Sequence, residues 1–393
     1  MIGGTDLAKI SMSARDEVIR KNRNKYLKST KKEKGQILCS VCLSTGLSRD
    51  RAARLLSGEK HKDCKSTGKK RGRKPIYDFD VILALKEIWT YMDFACGKRL
   101  KYGMANMLDA LIRFGEIHYD DSVIKKLKRI SPATIDRILK KEKESMRFRG
   151  ISATKPGTLL KKNIPLRLGT EWNDAVPGFV EVDLVAHCGQ TTAGEYINTL
   201  NVTDICTGWT EPMAVINKAQ RHVFDALMEI EKRQPFSFLG IDSDNGSEFI
   251  NQELYRYCKQ EGICFTRSRP YQKNDNCHVE QKNWSVIRRN IGYGRYEGKE
   301  ALKVLNEYYS LLRLYLNFFQ PSVKLISKRR DGSRLVKQYD KPLTPYNRVL
   351  REGSIPIYIK ENLTETFMSI NPAELKRNMM KLLGILANLR ISD

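Results

Sequence analysis

Three carboxylates stand at positions from which they could converge: Asp183 in the alternating stretch Val180 to His187, Asp244 in GIDSDNGSEF at 240–249, and Glu280 in HVEQKN at 278–283. Acids gathered from distant parts of a chain repel one another unless cations lie between them. Magnesium suits such oxygen ligands and keeps positions open for water and phosphate oxygens. Two ions about 4 Å apart would activate an attacking oxygen on one side and stabilise a leaving oxygen on the other, which is chemistry for a phosphodiester. Position alone leaves Asp242 in competition with Asp244, and spacing alone leaves open that these acids are scattered surface groups. His187 and His278 could orient water or substrate, although a hydrogen-bonded structural histidine is the commoner role.

The elements that must position these groups follow Trp172, where the pattern turns to alternating strands and helices. Over 179–187 the side chains of Val180, Val182, Leu184 and Ala186 point one way, and Glu181, Asp183 and His187 point to the other, expectedly exposed, face. Further strands are expected at 196–204, 211–216 and 237–242, with a helix between the last two whose Val223, Ala226, Leu227 and Ile230 form an apolar stripe. Val279, Val286 and Ile287 make a helical stripe around Glu280, with Trp284 read as core packing. This order predicts an α/β fold, a mixed sheet flanked by helices.

The layout resembles the catalytic core shared by retroviral integrases and bacterial insertion-sequence transposases, the DDE family with a ribonuclease H-like fold. The resemblance rests on VEVDLVAH at 180–187, SDNGSEF at 243–249 and NDNCHVEQKN at 274–283, with 35 residues between Asp244 and Glu280. It implies a mixed five-stranded sheet, two Mg2+ ions (with Mn2+ able to substitute) bound by Asp183, Asp244 and Glu280, and hydrolysis at an element end followed by attack of the freed 3′-OH on target DNA. Many relatives carry Lys or Arg seven residues after the glutamate. Here that position is Ile287, so Lys282 and Arg288 are the candidates for gripping the terminal DNA.

The partner class is also written in the charge. Lys and Arg number 70 against 45 Asp and Glu, a net of +25. Residues 1–170 hold 40 basic and 18 acidic side chains, or +22, which leaves +3 for the rest. A basic half joined to a nearly neutral half that must also hold acids points to double-stranded DNA, with binding that weakens steeply as salt rises.

Residues 31–57 read as two short helices broken at Gly46, a helix-turn-helix pattern, with Ile37, Leu38, Val41 and Leu43 in the first and Ala52, Ala53, Leu55 and Leu56 in the second. The second helix would offer Arg49, Arg51 and Arg54 to DNA, and an ordinary helical hairpin with a basic solvated face is the alternative. CKSTGKKRGRKP at 64–75 carries six basic residues in twelve and resembles an AT-hook, whose Arg71 and Arg73 would enter a narrow minor groove. Helical periodicity returns over 79–146, including a Ser131-Pro132 start, and reads as a second helix-turn-helix module.

The expected domains are therefore 1–63 helix-turn-helix, 64–78 basic linker, 79–146 second helical DNA-binding domain, 147–172 linker, 173–322 catalytic core, and a small C-terminal domain at 323–393 for DNA contact or assembly. That last segment holds the basic patch Lys328-Arg329-Arg330, short strands near 334–339 and 355–359, and a closing helix from Pro372 to Leu389.

Nine scattered cysteines do not form a secreted disulfide framework. Cys39, Cys42, His61 and Cys64 have passable zinc spacing, but Cys39 and Cys42 fall in a helical stripe where small apolar residues serve equally well. With no apolar leader and no bilayer-length stretch, the expected location is cytoplasmic and nucleoid-associated, with no membrane partner. Cutting and joining two ends implies a homodimer or larger assembly on DNA. The rival classes are a non-catalytic DNA-binding regulator and a nuclease without strand transfer.

Overall fold

The computed structural model describes residues 12–58, 76–145, 176–243, 249, 252–267, 282–332 and 334–391. The chain divides into two compact units, Met1–Ile76 and Tyr77–Asp393.

In the first unit three helices pack together: α1 (Met12–Lys28), α2 (Lys31–Thr45) and α3 (Arg49–Ser57). Thr30 precedes α2, and the Glu33 carboxylate accepts from its backbone N–H at 2.8 Å, which ties down the first turn. Gly46 ends α2 at φ 65°, a left-handed conformation that suits glycine, and turns the chain into α3. Ile19, Leu38, Val41, Ala52 and Leu56 form the core. The expected helix pair is present, and α1 supplies a third wall. Leu43 and Leu55, expected in the stripe, turn to solvent because the small three-helix core closes without them.

The second unit is built on a five-stranded sheet: β1 (Phe179–Ala186), β2 (Asn198–Asp204), β3 (Thr210–Val215), β4 (Gly240–Ser243) and β5 (Cys264–Arg267). Its order is β3-β2-β1-β4-β5. The first three strands are antiparallel, and β4 and β5 run parallel to β1. This mixed sheet, covered by helices, is the ribonuclease H-like arrangement the sequence implied.

One sheet face is apolar. Val180, Val182, Leu200, Val202 and Ile241 pack on Val223, Leu227 and Ile230 of α9 (Gln220–Arg233) and on Leu254 and Cys258 of α10 (Gln252–Glu261). The other face carries the polar ladder that contains Asp183. It was expected to be exposed, yet Glu181 is 1% and His187 0% exposed. The long helix α11 (Gly298–Phe319) covers the part of it formed by β2 and β3. Asn317 and Asn306 of α11 each accept from and donate to the backbone of edge strand β3, at Thr210 and Ala214, over 2.8–3.0 Å. Between these sits Pro212, which has no N–H to leave unpaired at an edge.

Helices α4 (Phe79–Tyr91), α5 (Gly97–Arg113), α6 (Asp121–Arg129), α7 (Pro132–Ile138) and α8 (Lys140–Ser145) follow the expected periodicity. Ser131 caps α7 by accepting from the Thr134 N–H, with Pro132 in its first turn. These helices do not stand apart as a separate module. Val81, Leu85, Ile88, Met104, Leu108 and Leu111 belong to the same core as Tyr308, Leu312 and Tyr315 of α11.

The C-terminal segment joins that core as well. Hairpin strands β6 (Leu325–Asp331) and β7 (Arg334–Tyr339) are followed by α12 (Pro345–Arg351), α13 (Ile357–Ser369) and α14 (Pro372–Leu389). The closing helix has its expected bounds. The strand expected at 355–359 is instead the start of α13, after Pro356. Ala373, Leu375, Met379 and Leu386 of α14 are buried in the shared core, and Arg377 pairs with Glu116 just after α5. An apolar stripe must bury itself somewhere. In this chain the stripes of residues 79–145 and 372–389 bury themselves on α11.

Candidate active site

The site grows from the middle of β1. Asp183 is half-buried, and its two carboxylate oxygens accept from different donors: Oδ1 from the Leu184 N–H at 2.8 Å and Oδ2 from Asn283 Nδ2 at 2.5 Å. Asn283 Oδ1 accepts from Asn201 Nδ2 at 2.8 Å. Asn201 is fully buried on β2, directly opposite Asp183 in the strand register. Asn283 opens a π-helical stretch, Asn283–Arg288, a widened turn of a kind frequent at functional sites. Val286 and Ile287 of this stretch are buried, as their stripe predicted.

The parallel pairing of β1 and β4 sets the second approach. Ser243, the last residue of β4, is the register partner of Val182, and Asp242 is the partner of Glu181. Paired strands lie about 4.8 Å apart. Asp242, the positional rival of Asp244, is wholly buried and accepts from Thr266 Oγ1 at 2.6 Å, level with Glu181 and one pleat from Asp183. Asp244 and Glu280 lie outside the described residues.

Among the described residues no three His, Cys, Asp or Glu side chains come together to hold a metal ion. The donors around Asp183 nevertheless suit a hard cation. They are carboxylate and amide groups, and Glu181, Asp183 and Asp242 share one sheet face whose like charges favour a cation beside them.

His187 is not poised for acid–base work. Its Nε2 pairs with Thr199 Oγ1 at 2.7 Å, Thr199 pairs with Tyr309 Oη at 2.8 Å, and burial, helped by Arg288, pushes its pKa down to about 3. His278 lies outside the described residues.

The two basic candidates on the same segment point to different places. Lys282 is half-buried with Nζ 3.5 Å from the Gly208 carbonyl, and burial, with Arg99 and Arg348 nearby, pushes its pKa down to about 8. Arg288 clamps the end of β1 through the Ala186 carbonyl at 2.8 Å and lies over the Tyr293 ring. Trp284, expected in the core, is 60% exposed, because the π-turn spends its inward positions on Asn283, Val286 and Ile287. In the first unit Arg49, Arg51 and Arg54 are all exposed on α3. Arg71, Arg73, His61 and Cys64 lie outside the described residues. Cys39 is exposed, and its Sγ accepts from Arg49.

Asn201 and Asn283 were not singled out from sequence. Asn283 had a readable signal, since it stands three residues after Glu280, a spacing that a helical reading of the sequence puts on one side. Asn201 had only the alternation of β2.

A family model described as integrase core domain matches residues 173–273, a span that contains Asp183 and Asp244. Protein y4rM of Sinorhizobium fredii (strain NBRC 101917 / NGR234), described as uncharacterized, is 38% identical over 341 residues, covering 86% of this chain and 96% of that protein. The chain belongs to the same family as y4rM and, through its integrase core, to the DDE transposase and integrase superfamily of DNA-processing enzymes. Among solved structures it is similar to the HTLV-2 integrase catalytic core domain in complex with magnesium, at 16% identity and TM-score 0.30, covering 38% of this chain and 93% of that one. It is also similar to the catalytic core domain of BIV integrase, at 18% identity and TM-score 0.28, covering 48% and 98% respectively. No described helix is long and apolar enough to cross a membrane.

Proposed function

We propose that this protein is a DNA transposase that binds the terminal inverted repeats of a mobile element, hydrolyses phosphodiester bonds at its ends and joins the freed 3′-OH to target DNA. Asp183, Asp244 and Glu280 hold two Mg2+ ions in this reading, with Mn2+ able to replace them. The observation that carries it is the register of β1 against β4. Ser243, the last residue of β4, is level with Val182, and Asp183 and Asp244 are the residues that follow these two partners in the sequence. Support for the third ligand comes from Asn283, which is bonded to Asp183 and follows Glu280 by three residues, a span of at most ~11 Å.

Bound there, the metal would supply Lewis acidity to the entering and leaving oxygens of the exchange. The chain's own residues do the positioning. The Leu184 N–H and Asn283 amide fix the rotation of the Asp183 carboxylate, Asn201 fixes Asn283, and the buried sheet beneath them keeps the group from yielding. Arg49, Arg51 and Arg54 of α3, with Arg71 and Arg73 of the basic segment, bind the element ends, while Lys282 and Arg288 serve the DNA near the site. The exposed guanidinium groups of α3 support that assignment. Two ends acted on together call for a homodimer or larger assembly on double-stranded DNA.

The test is incubation of the full-length protein with DNA carrying candidate ends and Mg2+, beside Asp183→Asn, Asp244→Asn and Glu280→Gln. Joined products from the unaltered protein, and from none of the variants, are expected. Intact DNA throughout would favour a DNA-binding regulator, and cleaved but unjoined DNA would favour a nuclease.

A further inference from the structure

Beside the candidate site, basic side chains from four distant parts of the chain meet on two adjoining backbone segments. Lys282 Nζ lies 3.5 Å from the Gly208 carbonyl, and Lys324 Nζ is 2.6 Å from the Cys206 carbonyl. Arg99 donates through Nε to the Pro321 carbonyl at 2.6 Å and through Nη2 to Gln320 Oε1 at 3.3 Å. Arg348 donates to the Ser322 carbonyl at 2.9 Å. The segments touch, since a Cβ placed on Gly208 would stand 3.7 Å from Ser322 Oγ.

Among the described residues the charges do not balance: Asp93, whose charge acts on Arg99, is itself paired with Lys376. Asp340 pairs with Arg348, and Glu352 stands at the rim, where it accepts from Cys206 Sγ. Asp204 is turned inward, accepting from the Gly178 and Thr207 N–H groups and the Thr207 hydroxyl. Among the described residues neither Lys282 nor Arg99 makes an ion pair, and both are half-buried. Withdrawing two like charges from water against neutral carbonyls costs several kcal/mol unless an anion joins them. Lys282 also directly precedes Asn283, which is bonded to Asp183.

We propose that Lys282 and Arg99 form the seat for one backbone phosphate of the DNA strand, the phosphate next to the linkage presented to Asp183. This deepens, and rests on, the transposase reading. The guanidinium of Arg99 suits forked contact with two phosphate oxygens, and Lys282 serves as a point charge. Because Arg99 belongs to α5 and Lys282 to the catalytic segment, the seat explains why α5 is built into the catalytic unit.

The experiment measures the affinity of the full-length protein for a labelled DNA duplex across a range of salt concentrations, for the unaltered chain, Arg99→Gln, Lys282→Gln and the double variant. Each single variant should weaken binding about tenfold and make the slope of log affinity against log salt shallower by about 0.9, the signature of one phosphate contact. The double variant should lose little more, since both cations hold the same phosphate. Unchanged slopes, or losses that multiply with a slope change near twice that size, would overturn the seat. Thermal unfolding keeps the result clear of misfolding. Removing one of two half-buried cations that make no ion pair among the described residues should leave the melting temperature unchanged or higher, whereas a drop with unaltered DNA binding would show a structural clamp and refute the proposal. Cleavage by the unaltered protein is scored separately. Binding that depends on Lys282 and Arg99 without any cleavage sinks the transposase reading alone, and cleavage with unchanged slopes sinks the seat alone.

Discussion

Asn283 is the residue through which the catalytic segment reaches the sheet, with one amide group joined to Asp183 and to Asn201. Replacing it with Ala would leave the buried Asn201 amide without that acceptor, at a cost of about 1–3 kcal/mol, and would free the Asp183 carboxylate to rotate. The Asn283→Ala protein is expected to cut DNA ten- to a hundredfold more slowly and to need more Mg2+ for half-maximal rate, read from a metal titration of initial rates. His187 gives a pH prediction. Its folded pKa near 3 lies below the ordinary 6.5, so its neutral form is what the fold accommodates. That stability is fully present above pH 6.5 and is lost progressively as pH falls toward 3, by up to ~5 kcal/mol. Melting temperatures measured over this range should fall with acid, and His187→Gln should flatten the curve.

At the scale of elements, the strands were legible because alternation of Val180 and Val182 with Glu181 and Asp183 fixes the two faces of β1 without tertiary information. The covering of the polar face was not legible. Nothing local distinguishes a polar side chain facing water from one covered by a distant part of the chain, so Glu181 and His187 are expected outside and lie inside. The same reason hid the exposure of Trp284, since a π-turn shifts the helical phase by which its burial was read. The asparagines of α11 make a testable element of this cover. Asn317→Ala removes two hydrogen bonds from Thr210 at the buried start of β3 and should lower stability by about 2 kcal/mol in chemical denaturation. An unchanged midpoint would mean that water replaces the amide.

On the scale of the whole molecule, amphipathic periodicity announced that the helices of residues 79–145 have a buried stripe, but not what they bury it against. Local sequence patterns place boundaries at 146 and 322, whereas Tyr77–Asp393 forms one compact unit whose larger core runs from Val81 to Leu386. A fragment of residues 77–393 is expected to unfold in a single cooperative transition and to lose selective binding to element ends. A fragment of residues 77–322, deprived of α14, should not fold cooperatively. Both outcomes are read by calorimetry and circular dichroism.

Two-metal chemistry in this protein requires the oxygens of Asp183, Asp244 and Glu280 to meet around metal. Crystals of the full-length protein with DNA and Mn2+, measured for anomalous scattering, address this directly. Two peaks roughly 4 Å apart, both within bonding reach of these three carboxylates, are the expected result. Density showing Asp244 and Glu280 turned away from Asp183, with no anomalous peak beside it, would contradict the account.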